Sequence, residues 1–343
     1  MKRLFFKALV ATVLATCGLT AAATPLEDLS GGQTGRIEFN SITPPDRWQF
    51  VRKNMTNTKP VVVYGDLIMP SQPNGTGKVP AVIISPGSGG VSAKLYDVWG
   101  KSLNDAGIAV FIVDSFKPRE IAGTTNNQGL LDVSANVADA LNALKLLATH
   151  PKIDANRIFS MGGSRGGSVA FETHWDMVRK AVIDTDLKFA GNIPLYQGNC
   201  STRFRYDRGD TNKAPILALM GGADNGTIAS ACVDYYTELK ASGTNIRWKV
   251  YPGAHHGFDG TGRYEWLPQG VHANNCTNEV HMINRQGAGL GEARNYKTGE
   301  SINGFAEWSK LQRECNGRGY AVEGNTAART DAIKEVIDFV KGL

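Results

Sequence analysis

Short, continuously apolar runs alternate along this chain with segments whose apolar residues recur at helical spacing. Residues 80–87, 108–116, 157–163, 215–222 and 246–253 read as strands, and 108–116 is especially rich in β-branched and aromatic side chains. Between them, 92–107 reads as a helix closed by Gly107. Residues 132–150 place Val137, Leu141 and Leu144 on one helical face, with Asp132 able to cap it. The final segment, 331–343, sets Ile333, Val336, Ile337 and Val340 together. Strands that are apolar throughout, rather than alternating, predict a mostly parallel sheet covered by helices on both faces. No internal repeat or low-complexity linker interrupts the pattern, so one α/β domain is expected over residues 24–343.

Residues 1–23 stand apart. Lys2, Arg3 and Lys7 precede an apolar stretch that ends in Ala21, Ala22 and Ala23, the layout of a secretory signal peptide. The apolar core is too short for a membrane anchor, which needs roughly 20 such residues. A lipid-anchored reading through Cys17 is weakened by the bulk of Thr16. An exported protein, periplasmic or secreted, is therefore expected, with no lasting membrane association after cleavage.

Without those three cations the formal charge falls from +5 to +2, too little to suggest a nucleic-acid or membrane-surface partner. Cys200, Cys232, Cys276 and Cys315 remain, enough for two disulfides with three possible connectivities. No C-x-x-C pair suggests a metal site, and His174, His272 and His281 are too scattered to suggest a ligand set.

The loops after the strands carry the candidate chemistry, because sites in such sheets lie beyond the carboxyl ends of the strands. After 158–161 comes Gly162-Gly163-Ser164-Arg165-Gly166, a G-x-S-x-G on a strand-to-helix turn. Neither nucleotide-binding glycine pattern is present. A bare structural turn and the seat of a nucleophile both remain open on this stretch alone. A hydrolase of this build requires an acid and then a histidine further along the chain. Asp224 follows the strand at 215–222, and His255 and His256 follow the strand at 246–253. Asp184, Asp186, Asp234 and Asp259 are rival acids. Three groups in the required order, each closing its own strand, favour the nucleophile.

These stretches resemble the dienelactone hydrolase family of the α/β-hydrolase superfamily, in particular its exported serine members. The resemblance is carried by PAVIISPGSGG, AVFIVDSFKPR, HPKIDANRI, GGSRGG, APILALMGGADNGTIASAC, VYPGAHHGFD and GNTAARTDAIKEVIDFV. It implies an α/β-hydrolase fold and the catalytic set Ser164, Asp224 and His256, the histidine before Gly-Phe being preferred to His255. It also implies a Cys200–Cys232 disulfide, which leaves Cys276 for Cys315. Two positions depart from the family pattern. Dienelactone hydrolases proper use a cysteine where this chain has Ser164, and their oxyanion loop has a glutamate where it has Gly87. Ester or lactone hydrolysis is thus implied, but not the dienelactone substrate itself.

The chemistry expected is attack by Ser164 on an ester carbonyl, with His256 as base and then acid, and Asp224 holding the imidazole. The backbone N–H of Arg165 and that of Ser88, or alternatively Gly89, would form the oxyanion hole. No metal or organic cofactor is required, and the partner is a small-molecule ester. Arg165 and Arg119 could select anionic substrates or serve structure. Residues 260–324, between the histidine loop and the last helix, form a long insertion that could be a lid, a pocket wall or a packed excursion. Two other classes stay in view. A peptidase of this fold usually carries an added propeller or cap, and no such repeat precedes residue 60. A binding protein on a hydrolase scaffold would be expected to break the triad.

Overall fold

The computed structural model describes residues 24–71, 77–206, 210–282 and 293–343; the expected leader, 1–23, lies outside them. Before the turn at Ser164 the strands are β1 (Gly35–Thr43), β2 (Lys59–Ile68), β3 (Val79–Ser85), β4 (Ala109–Asp114) and β5 (Ile153–Gly163). After it come β6 (Gly191–Leu195), β7 (Arg203–Tyr206), β8 (Ile216–Gly221) and β9 (Ile246–Tyr251). Eight of these form one sheet in the order β1-β2-β4-β3-β5-β6-β8-β9. From β4 to β9 all neighbours are parallel, while β2 runs antiparallel to both β1 and β4. This is the α/β-hydrolase arrangement.

The helices are α1 (Arg47–Val51), α2 (Lys101–Asp105), α3 (Val133–Leu147), α4 (Arg165–Glu172), α5 (Asp176–Arg179) and α6 (Ala229–Ala241), then α7 (Gly304–Cys315) and α8 (Thr326–Lys341). Side-chain alternation along the strands makes two cores. Ile83 and Phe111 pack with Val137, Leu141, Leu144 and Phe171 of α3 and α4. Val82, Ile84, Val110 and Ile112 point the other way, to Trp99, Leu103, Val336 and Val340. Every residue of β3, β4 and β8 is buried, which is why these strands carry no polar face. Each fully buried large aliphatic side chain contributes about 1.5–3 kcal/mol relative to exposure.

Two predicted helices have different bounds. In the segment expected to be helical over 92–107, Leu95–Gly100 forms π-type turns before α2 begins. Gly107 follows in the left-handed region, at φ 82°. The last helix starts earlier than expected, at Thr326, because the Asn325 side chain caps it by accepting from the Ala328 N–H. Asp132 caps α3 as predicted, accepting from Ser134 N–H at 2.9 Å.

Residues 260–324 add β10 (Glu265–His272), β11 (Asn278–Met282), β12 (Ala293–Asn295), β13 (Ser301–Ile302) and β14 (Gly317–Val322), together with α7. β10 pairs with β14, while β13, β12, β11 and β7 make a separate small sheet. Val280, Ala293, Ile302 and Trp308 of this region join the core on the α3 side. Disulfides join Cys200 to Cys232, and Cys276 to Cys315, with Cα–Cα separations of 4.8 and 4.9 Å. The first ties the loop after β6 to α6, and the second ties the β10–β11 connection to the end of α7. Two disulfides fit an oxidising compartment. Among the described residues no helix is long and apolar enough to cross a membrane.

Candidate active site

In strand order, β3 lies between β4 and β5, so successive crossovers diverge there and open a crevice at the carboxyl ends of the strands. Ser88 follows β3, Ser164 follows β5, Tyr196 follows β6, Asp224 follows β8 and His256 follows β9.

Ser164 sits at φ 57° and ψ −118°, a conformation strongly disfavoured for a residue with a side chain. Its N–H is held by Leu195 O at 3.0 Å, and α4 starts at the next residue. The turn needs glycines because the backbone at the end of β3 and the Tyr196 side chain both close on it. A Cβ on Gly166 would lie 2.1 Å from Ser85 O, and one on Gly163 would lie 2.3 Å from the Tyr196 hydroxyl.

Asp224 and His256 meet at 2.9 Å, Oδ2 to Nδ1. The Asp224 side chain is fully buried. Its Oδ1 accepts from Gly226 N–H at 2.7 Å and Thr227 N–H at 2.8 Å, and the Thr227 hydroxyl lies 2.9 Å from Oδ2. Burial pushes this carboxyl's pKa up, but the charge and hydrogen bonds of His256, with those of Thr227, outweigh it and leave it below the usual carboxylate range. The His256 ring is flanked edge-on by Tyr196 at 4.9 Å and Tyr320 at 5.1 Å between centroids. His255 instead approaches Glu323 at 3.7 Å and packs on Tyr264.

The rival acids lie elsewhere. Asp184 and Asp186 are exposed, Asp184 pairing with Lys53, and Asp234 is exposed on α6. Asp259 is buried but bonds to Trp99, Tyr196 and Lys94 rather than to a histidine. His174 is buried away from these groups and pushed down to about 4 by burial. Among the described residues no group of three or more His, Cys, Asp and Glu side chains gathers as a metal site would require.

Ser164 and His256 both line two cavities, each of about 530 Å³. Trp48, Phe204, Trp308, His272 and Arg165 wall the first. Lys94, Trp99, Tyr196, Leu267 and Val322 wall the second. Residues 260–324 therefore contribute to both cavities and, through Tyr320, pack on the histidine. The turn at residues 87–90 is closed by Gly90 N–H donating to Gly87 O at 3.0 Å, and Ser88 lines both cavities. Among the described residues, neither the Ser88 nor the Arg165 N–H donates an intramolecular hydrogen bond.

The Arg165 side chain is buried beneath the first cavity, where its guanidinium donates to Asn136 Oδ1 at 2.9 Å, Gln128 Oε1 at 3.0 Å and Leu131 O. With no carboxylate in ion-pair contact among the described residues, burial brings its pKa down to about 10. Arg119 makes a buried ion pair with Asp139 at 2.8 Å and bonds to the backbone of β1, a structural role.

Sequence reasoning did not find Thr227, Tyr196 or Tyr320. The Asp-x-Gly-Thr order after β8 carries an Asx-turn signal that points to Thr227. The two tyrosines carry no local signal, since only the approach of distant segments brings them to His256.

A profile of the dienelactone hydrolase family matches residues 65–279. A probable 2-oxo-3-(5-oxofuran-2-ylidene)propanoate lactonase from Bradyrhizobium sp. is 24% identical over 196 residues, spanning 55% of this chain and 77% of that protein. Among solved structures, the propionate-bound esterase Est2 of Thermogutta terrifontis is similar with a TM-score of 0.46 at 17% identity, covering 59% of this chain and 83% of that one. Est1E from Butyrivibrio proteoclasticus is similar with a TM-score of 0.42 at 17% identity, covering 57% and 86% of the two chains.

Proposed function

The chain belongs to the dienelactone hydrolase family, and from that premise we propose that it hydrolyses carboxylic esters or lactones through Ser164, His256 and Asp224. The observation that supports this most is the buried Asp224–His256 hydrogen bond of 2.9 Å beside cavities that Ser164 also lines.

In this reading Asp224 accepts the Nδ1 proton, which leaves Nε2 as the base. His256 removes the Ser164 proton as the hydroxyl attacks the ester carbonyl, and returns it to the departing alcohol. The N–H groups of Arg165 and Ser88 hold the oxyanion, and neither has another acceptor in the described structure. Water then attacks the acyl-serine by the same route. Two cavities that both reach Ser164 and His256 suit an ester with a sizeable group at both ends.

The two Trp residues and Phe204 around the first cavity favour a planar or apolar group there. Residues 1–23 act as a signal peptide, and 24–343 form the exported domain, with 260–324 as an insertion that builds the cavity walls. A fluorophosphonate probe tests the nucleophile. One adduct per chain, mapped to Ser164 and absent in His256→Ala, is expected; labelling at another residue contradicts the assignment.

A further inference from the structure

Asp259 lies three positions beyond His256 on the same loop, and its side chain is almost completely buried. Three donors from two segments converge on it, Lys94 and Trp99 from the turns at 94–100 and Tyr196 from the loop after β6. Trp99 Nε1 reaches Oδ2 at 2.7 Å, while the Tyr196 hydroxyl reaches Oδ1 at 2.7 Å and Lys94 Nζ reaches Oδ1 at 2.9 Å. Lys94 also donates to the Tyr196 hydroxyl at 3.0 Å. A buried charge on this scale is costly unless it is paired and fully hydrogen-bonded, and here it is both.

Tyr196 connects this cluster to the reacting groups. Its hydroxyl end lies against Gly163, so tightly that a Cβ there would come within 2.3 Å. Its ring packs edge-on to His256 at 4.9 Å. Its carbonyl oxygen is 3.0 Å from the Thr227 hydroxyl, which is in turn 2.9 Å from Asp224 Oδ2. The residue before it, Leu195, accepts the Ser164 N–H. Tyr196 thus adjoins the nucleophile turn, the acid loop and the histidine at once, at a φ of 34° that a bulky side chain rarely adopts.

We propose that Tyr196 is a positioning residue for the Ser164–His256–Asp224 set, anchored by the buried Asp259 and its half-buried partner Lys94. Lys94 follows the oxyanion turn and Asp259 follows the histidine, so their ion pair also fixes those two loops to each other. The buried Arg119–Asp139 pair provides a contrast: it touches none of the reacting groups. The inference rests on the catalytic reading given above.

Steady-state kinetics on Tyr196→Phe, Asp259→Asn and the double variant test it, with folding followed by thermal denaturation. Tyr196→Phe keeps the ring and is the milder change. Each single variant is expected to lose about tenfold or more in kcat with KM within about twofold, as small displacements of reacting groups do. The double variant should lose little beyond the worse single variant, since both break one unit. If kcat of the folded variants stays within about twofold of wild type, or if activity falls only with the folded fraction, the proposal is overturned. Ser164→Ala run alongside separates the two levels. An inert Ser164→Ala beside unaffected Tyr196 and Asp259 variants removes only this inference, whereas an active Ser164→Ala removes the catalytic reading and this one with it.

Discussion

The His256 imidazole and the Asp224 carboxylate share a 2.9 Å hydrogen bond in surroundings that leave none of the Asp224 side chain exposed. One Asp224 oxygen is occupied by two backbone N–H groups, which leaves the other for the ring and the Thr227 hydroxyl. The carboxylate is thereby held in one orientation before any substrate arrives.

Replacing it by the amide should therefore damage catalysis more than folding. Asp224→Asn presents an N–H or a neutral oxygen to Nδ1 and favours the wrong tautomer. A loss of about 10⁴ in kcat is expected, measured on a simple p-nitrophenyl ester, while the circular dichroism spectrum is retained.

The same group makes stability pH-dependent. Its folded-state pKa is depressed, so its ionised form contributes stability that is fully present above the unfolded value. That contribution is lost as pH falls through the folded one. Urea midpoints should decline below about pH 4 in wild type. Asp224→Asn should lack this component of the decline.

At the nucleophile turn, Gly166→Ala puts a methyl group 2.1 Å from Ser85 O. Because the obstacle is the backbone at the end of β3, β3 and α4 must separate. A destabilisation of about 1–3 kcal/mol or more is expected, together with lost activity, as read from urea midpoints and ester hydrolysis.

The Cys276–Cys315 bridge closes a sequence separation of 39 residues in the region that walls the first cavity. Its removal by Cys276→Ser with Cys315→Ser should cost about 3–4 kcal/mol on the chain-entropy account and raise KM. Thiol titration of the denatured, unreduced wild type should find almost no free thiol among residues 24–343; four would contradict both bridges.

Arg165→Met would leave Asn136 Oδ1 and the Leu131 carbonyl without their donor, while Gln128 Oε1 keeps the Thr124 hydroxyl at 3.3 Å. A loss of about 1–3 kcal/mol per unsatisfied buried group is the scale expected, checked by denaturant unfolding.

The central strands were legible because they are buried on both faces and so contain unbroken apolar runs. The segments β1 and β2 escaped notice since their burial alternates along an edge, and β6 is interrupted by Pro194. The π-type turns at Leu95–Gly100 have no separate apolar period to announce them. In the candidate site, Ser164, Asp224 and His256 could be read because each terminates an apolar strand at a marked turn. Tyr196, Lys94 and Tyr320 could not. Their roles arise from contacts between segments far apart in the chain, and a buried tyrosine looks like any other core aromatic in sequence.

The account stands or falls most directly on Ser164. Hydrolysis of p-nitrophenyl acetate by residues 24–343 should be measured for wild type and Ser164→Ala, both confirmed folded. The account predicts turnover by wild type and a loss of about a thousandfold or more in Ser164→Ala. Equal rates in the two proteins, or no turnover of any ester in either, would contradict it.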